Sequence, residues 1–210
     1  MGAGKPELRA HITARRRLLT TGELARAADL LRDLALGRPE LLGARTVAAY
    51  VSLGSEPGTG PLLTALAARG TRVLLPVLLP DGDLDWAEHE PGGLLTPGPR
   101  GLREPAGRRL GTGAVATADA VVVPGLAVDR RGARLGRGGG SYDRALGRVP
   151  SGTPVLLLLH DGEVLDHVPE EPHDRRVDVA LSPSGAVLTP GRAAGLNAAL
   201  DRPPGNESRP

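Results

Sequence analysis

The sequence predicts an α/β fold: three layers, Rossmann-like, with a mostly parallel sheet preceded by N-terminal helices. Three observations carry this reading. From residue 46 onward, short apolar runs of strand length alternate with segments of helical length. Two of those runs, Ala120-Val-Val-Val-Pro and Val155–Leu159, are almost wholly apolar, as strands covered on both faces are. Ahead of them, Glu7–Leu18 and Glu23–Leu36 repeat apolar residues at helical spacing.

Between these helices, Thr20-Thr-Gly-Glu23 carries a capping signal, a hydroxyl followed three residues later by an acid. Thr46–Val51 is the expected first strand. Gly60–Ala68 reads as a helix with Pro61 early, where its missing N–H is tolerated. Arg72–Val77 is the second strand, and Asp83–Glu88 alternates as an edge strand does. Pro91–Gly113 holds too many Gly and Pro for regular structure. A strand at Ala120, a helix from Ser141 to Val149, a strand at Val155 and a short strand near Val179 complete the order. There is no internal repeat. One domain is expected over residues 1–200, and the Pro-rich segment 201–210 is expected to be a disordered tail.

Composition narrows the class of function. The 210 residues include no cysteine, so disulfides and thiolate metal sites are excluded. The longest apolar run is too short to span a bilayer, and neither an export signal nor a myristoylation motif is present, so a cytoplasmic protein without membrane partners is expected. The Asn206-Glu-Ser208 sequon then carries no meaning. Net charge is only +2, acids are interspersed with the arginines, and aromatics are scarce, which argues against nucleic acid as a partner. Arg15-Arg-Arg17 reads as a solvated helix face. Lys5 is the single lysine of an arginine-rich chain; a compact ammonium suits a phosphate, although one lysine also fits chance.

The most informative segment is Arg134-Leu-Gly-Arg-Gly-Gly-Gly-Ser-Tyr-Asp-Arg144. Three glycines in a row let the backbone approach an anion, Arg134 and Arg137 add positive charge, and Asp143 in the first helical turn could reach a magnesium ion bridging phosphates. The rival reading is a flexible turn. The pattern matches neither the Walker loop nor the dinucleotide fingerprint.

The surrounding residues favour the site. Pro124-Gly-Leu-Ala-Val-Asp-Arg-Arg-Gly132, followed by Arg134-Leu-Gly136, Gly138-Gly-Gly140 and Tyr142-Asp-Arg144, closely resembles the signature of the 5-formyltetrahydrofolate cyclo-ligase family, also called methenyltetrahydrofolate synthetases. Other pieces occur in that family's order: Lys5-x-x-x-Arg9, Glu56-Pro-Gly-Thr59, Leu75-Pro76, Gly101-Leu-Arg-Glu-Pro105, and Glu171-Pro-His-Asp174 with Val177-Asp178. The resemblance spans about Lys5 to Leu181.

The resemblance implies an enzyme that uses ATP and Mg2+ to close 5-formyltetrahydrofolate to 5,10-methenyltetrahydrofolate, acting as a monomer on these small molecules alone. It implies that Lys5 and Arg9 meet the nucleotide phosphates and that Arg134, Leu135, Gly136, Arg137, Gly138, Gly139, Gly140, Ser141 and Tyr142 form the ATP loop. Arg137 to Ser141 would also lie against the folate, with Arg137 the catalytic cation. Glu56 would hydrogen-bond the pterin, Val51 would line its pocket, and Asp143 and Asp174 would be the magnesium-associated acids, Asp178 being a weaker candidate. Bland alternatives stand beside these: an exposed Lys5/Arg9 helix pair, a helix-start acid at Asp143, a turn acid at Glu56, a salt-bridged Asp174. His173 reads as structural. Trp86 either walls the pocket or fills core. In one respect the chain departs from the pattern: Ser141 stands where the family usually has Tyr or Phe, and it could serve as a helix N-cap. Two rival functions follow, a degenerate relative that binds without turnover and an Arg-rich nucleic-acid-binding module.

Overall fold

A computed structural model describes residues 4–90 and 92–188; the segment 201–210 expected to be disordered lies outside them. The elements, in chain order, begin with helices α1 (Lys5–Arg16), α2 (Thr21–Leu36) and the single turn α3 (Pro39–Leu42). There follow β1 (Thr46–Ala48), α4 (Gly60–Ala68), β2 (Arg72–Leu78) and β3 (Leu84–Glu88). A hairpin of β4 (Leu95–Pro97) and β5 (Arg103–Pro105) is next, then a 3-10 segment at Thr112–Thr117 and β6 (Ala120–Pro124). The signature region contributes β7 (Ala127–Asp129), β8 (Arg134–Leu135) and α5 (Ser141–Leu146), before β9 (Val155–Leu158), β10 (Val164–Leu165), β11 (Val179–Ser182) and β12 (Gly185–Leu188).

Seven strands form the main sheet in the order β12-β11-β9-β6-β1-β2-β3. The five central strands run parallel, and the two edge strands, β12 and β3, pair antiparallel. Alternation along each strand divides the core by face. Val47, Val73, Val122, Leu156 and Leu158 meet Leu31 and Ala35 of α2 and Leu62 and Leu66 of α4. Ala48, Leu74, Val121, Val123, Val155 and Leu157 point the other way, onto Val115 and Ala145 and Leu146 of α5. This is the three-layer arrangement expected from the sequence. Among the described residues no helix is long and apolar enough to cross a membrane.

The Thr20 signal is a full capping box: Glu23 N–H donates to Thr20 Oγ1 at 3.2 Å and Thr20 N–H to Glu23 Oε2 at 2.7 Å. Helix α1 packs Ile12 onto Leu126, Ala127, Leu135 and Val168, away from the main sheet. It is locked there by Arg16, whose guanidinium bonds both Glu163 oxygens at 2.7 Å and the Gly125 carbonyl at 2.8 Å. Both side chains of that pair are buried, 3% and 4% exposed. Removing either one would leave an unpaired charge in the interior.

Three expectations need correction. The first strand ends at Ala48 rather than Val51: Ala49 N–H still donates to Leu74 O at 2.9 Å, and from Ser52 the chain folds into a loop held by its own side chains. Ser52 N–H donates to Thr59 Oγ1, Thr59 N–H to Ser52 Oγ, and Leu53 N–H to Glu56 Oε2. The Gly/Pro-rich stretch 91–113 is not wholly irregular: it holds the β4–β5 hairpin, whose Pro97 and Pro105 sit at strand ends where a two-stranded ribbon needs no donor. Helix α5 stops at Leu146 and finishes in tighter turns, Arg148 N–H to Ala145 O and Val149 N–H to Leu146 O.

The signature also hides a small sheet, β10-β7-β8, that the sequence reading did not anticipate. Its hub is Asp129, which is fully buried. One carboxylate oxygen accepts from Arg131 N–H (2.9 Å) and Ala133 N–H (3.2 Å), the other from the Arg131 guanidinium (2.7 and 3.1 Å) and Val168 N–H (3.1 Å). Burial pushes this carboxyl up, but the Arg131 bond and the converging N–H groups outweigh it and hold the group below its ordinary value. Asp129 thereby shapes the turn that delivers Arg134 to the cavity.

Candidate active site

A cavity of about 730 Å3 opens outside the carboxyl ends of β1, β2 and β6, with Leu78 at the end of β2 and Tyr50 and Gly125 from just beyond β1 and β6 in its wall. Here the chain crosses from one half of the sheet to the other, since β2 lies on one side of β1 and β6 on the other. Crevices at such a crossover are where open α/β sheets take ligands.

The glycine loop forms one wall. Gly138 (φ 96°) and Gly140 (φ 67°) adopt left-handed backbone that side chains disfavour, and a Cβ on Gly138 would lie 3.3 Å from the Arg9 guanidinium. The loop carbonyl of Gly136 accepts from Arg9 Nε at 2.9 Å, which fixes α1 against it. Gly140 is the N-cap of α5, so Ser141 is its first residue and not the cap; the Ser141 hydroxyl donates to the Gly82 carbonyl at 2.6 Å and joins the loop to the β2–β3 turn. With only six residues, α5 adds little dipole to an anion site, which corrects the weight given to a helix start. What the loop offers an anion is its cationic side chains and glycine backbone.

Six cations line the cavity (Lys5, Arg9, Arg100, Arg103, Arg134, Arg137) against four carboxylates (Glu56, Asp143, Glu171, Asp174), so an anionic ligand is favoured. Lys5 Nζ sits 2.6 Å from Asp174 and 3.5 Å from Glu171. Burial raises the Asp174 carboxyl, yet the Lys5 bond and the Glu171 N–H bring it below its usual value. Arg134 donates to Asp143 Oδ1 at 2.8 Å and to the Pro124 carbonyl at 3.1 Å, while its buried Nε has no partner among the described residues. Arg137, more than half exposed, lies 3.2 Å from Glu56 Oε1, and Glu56 Oε2 accepts Leu53 N–H. Burial first, then the Glu56 charge, raise the Tyr142 hydroxyl well above its ordinary value, so it stays protonated.

Asp143 and Asp174 approach through their neighbours, because Arg175 N–H donates to Asp143 Oδ1 at 3.1 Å. Glu171, His173 and Asp174 each offer a donor atom within 4.8 Å of the others. Carboxylate oxygens on both segments are the hard donors that magnesium prefers, so the residues fit such an ion.

The structure thus brings Lys5, Arg9, Glu56, residues 134–143 and Asp174 around one cavity. It leaves out two others. Val51 packs on the core beneath, and its neighbours Tyr50 and Leu53 line the wall instead, a consequence of the early end of β1. Asp178 caps β9 through Val155 N–H at 2.9 Å. Trp86 is fully buried core. The sequence reading missed Pro76, Leu78, Leu84 and Leu102, an apolar wall, and Arg100 and Arg103 of the hairpin. For the hairpin pair the signal was their place in the Gly101-Leu-Arg-Glu-Pro105 element (Arg103) or next to it (Arg100), an element to which no role had been given.

Residues 1–183 match the model of the 5-formyltetrahydrofolate cyclo-ligase family. A 5-formyltetrahydrofolate cyclo-ligase of Mycolicibacterium smegmatis is 40% identical over 189 residues, covering 88% of this chain and 96% of that one. The enzyme of the same name from Escherichia coli K12 is 31% identical over 176 residues, covering 82% and 97%. The solved structure of the Aquifex aeolicus 5,10-methenyltetrahydrofolate synthetase superposes with a TM-score of 0.74 at 26% identity, covering 97% of this chain and 96% of that one. The chain therefore belongs to the 5-formyltetrahydrofolate cyclo-ligase family.

Proposed function

We propose that the protein cyclises 5-formyltetrahydrofolate to 5,10-methenyltetrahydrofolate with ATP and magnesium, releasing ADP and phosphate. The observation that carries this reading is the convergence of Lys5, the glycine loop and the two acids Asp143 and Asp174 on a cationic cavity that also has an apolar wall. One half suits a triphosphate and the other a ring system.

The chemical difficulty is the formyl oxygen, a poor leaving group. It attacks the terminal phosphorus of ATP and displaces ADP; the second nitrogen then adds to the activated carbon, and the C–O bond breaks to release phosphate, which takes the proton that nitrogen gives up. No step requires a dedicated base. The protein contributes placement and charge. In this reading Lys5 and Arg9, brought in by α1, hold phosphate oxygens. Arg137 leaves Glu56 to face the oxygen where charge develops, and Glu56 turns to the pterin N–H groups. Asp143 and Asp174 would hold magnesium, whose charge offsets that of the phosphates.

The test is direct. Purified protein mixed with ATP, magnesium and 5-formyltetrahydrofolate is expected to generate the near-ultraviolet absorbance of the methenyl product, and none when ATP is omitted. Absence of that signal under saturating substrates refutes the reading.

A further inference from the structure

We infer that Arg100 and Arg103, on the β4–β5 hairpin, form an anion-binding subsite at the rim of the cavity, facing the glycine loop, which takes a multiply charged oxyanion of a substrate. The argument is one of charge already spent. All four carboxylates lining the cavity are engaged: Asp174 and Glu171 by Lys5, Asp143 by Arg134, Glu56 by Arg137. The cations left over are Arg9, Arg100 and Arg103, and Arg9 is tied to the Gly136 carbonyl. Among the described residues neither hairpin arginine has a carboxylate partner; Arg103 reaches only the Leu95 carbonyl, at 3.4 Å. Two of the three cations without a carboxylate partner therefore sit on the hairpin, and the third, Arg9, is held against the glycine loop.

Backbone conformation supports the same conclusion. Arg100 is the one non-glycine residue described with positive φ (φ 57°, ψ 24°). A left-handed arginine next to Gly101 is strain kept where glycine would serve, and such strain gathers at ligand sites. The tip is held by Gly98 N–H to Leu102 O (2.7 Å) and Leu102 N–H to Pro99 O (3.0 Å), and its base by buried Glu104, which accepts Leu78 N–H at 2.9 Å. Arg100 Nη1 lies 4.0 Å from the point a Cβ on Gly139 would occupy. A rigid hairpin thus holds one guanidinium over the loop and a second three residues away.

This deepens the ligase reading and rests on it for the anion's source, which is either the phosphates of the nucleotide or the glutamyl carboxylates of the folate. Binding of four probes, ATP, inorganic tripolyphosphate, and 5-formyltetrahydrofolate carrying one or three glutamyl residues, is measured by calorimetry for the wild type and for Arg100→Gly combined with Arg103→Gln. At least threefold weaker binding of one class is expected: loss for ATP and tripolyphosphate assigns the phosphates, and a larger loss for the triglutamate than for the monoglutamate assigns the carboxylates. Smaller changes for all four probes overturn the inference. Arg100→Gly alone relieves the backbone, so its Tm is expected to equal or exceed the wild type while affinity falls, an outcome that a purely structural arginine would not give. These measurements need no turnover, so a wild type that binds but makes no methenyl product fails the ligase reading and leaves the subsite tested.

Discussion

Replacing Asp129 with Asn tests how the signature turn is built. The carboxylate accepts at both oxygens, so whichever way the amide is turned, its NH2 faces donors. In one orientation the buried Ala133 N–H and the Arg131 N–H lose their acceptor; in the other the buried Val168 N–H and the Arg131 guanidinium do. An unsatisfied buried N–H costs about 1–3 kcal/mol, and a lost charge-assisted bond about 1.5–3, so Asp129→Asn is expected to destabilise by about 3–5 kcal/mol at neutral pH. For a chain of this length that lowers Tm by roughly 10 °C. The pH dependence carries a sign. The folded carboxyl lies below its ordinary value of 3.8, so its contribution is complete above that value and is lost as pH falls through the depressed one. Urea unfolding of wild type and variant between neutral pH and pH ~3 should show the gap in stability narrowing below pH ~4. A gap under about 1 kcal/mol at neutral pH, or one that does not narrow in acid, refutes the reasoning.

Three further outcomes are expected. Lys5→Met should raise the Michaelis constant for ATP about 10- to 100-fold, the worth of one charge-assisted phosphate contact, and an unchanged constant would limit Lys5 to its pairing with Asp174. Glu56→Gln should raise the Michaelis constant for the folate and leave that for ATP within about twofold; equal effects on both would assign Glu56 to the Leu53–Thr59 loop alone. Ser141→Ala removes the bond to Gly82 and should cost about 1 kcal/mol in thermal unfolding, whereas an unaltered Tm would mean that this contact contributes nothing.

What the sequence made legible was whatever is encoded locally. Helix α4 matches its expected span because Pro61 and the apolar run fix both ends, and the central strands Ala120–Pro124 and Val155–Leu158 are legible as apolar runs. Misreadings arose where side chains compete with ladders. The loop after β1 is held by Ser52, Glu56 and Thr59 capturing backbone N–H groups, and polar residues of that kind look the same in a strand end and a loop. The β4–β5 hairpin was hidden by its prolines, and β7–β8 by the charge of Arg130 and Arg131 in the turn between them, where the pairing of Arg131 with Asp129 is not visible from spacing. For the site, the resemblance supplied residues that carry a motif. It could not supply Tyr50 in place of Val51, nor a cavity position for Arg100 and Arg103, since these reach the cavity only through the path of the folded chain.

The contact between Lys5 and Asp174 spans 169 positions of sequence. During synthesis α1 emerges ahead of the sheet, and its partner carboxylate follows only after four of the five parallel strands, β1, β2, β6 and β9, have been made. A nascent chain therefore has no closed cavity to offer, and small molecules in the surrounding solution can stabilise the finished protein but none of its precursors. The early risk of aggregation falls on the uncovered strands themselves, and abundance in the cell should respond to ligand supply through protection of the completed fold rather than through faster folding.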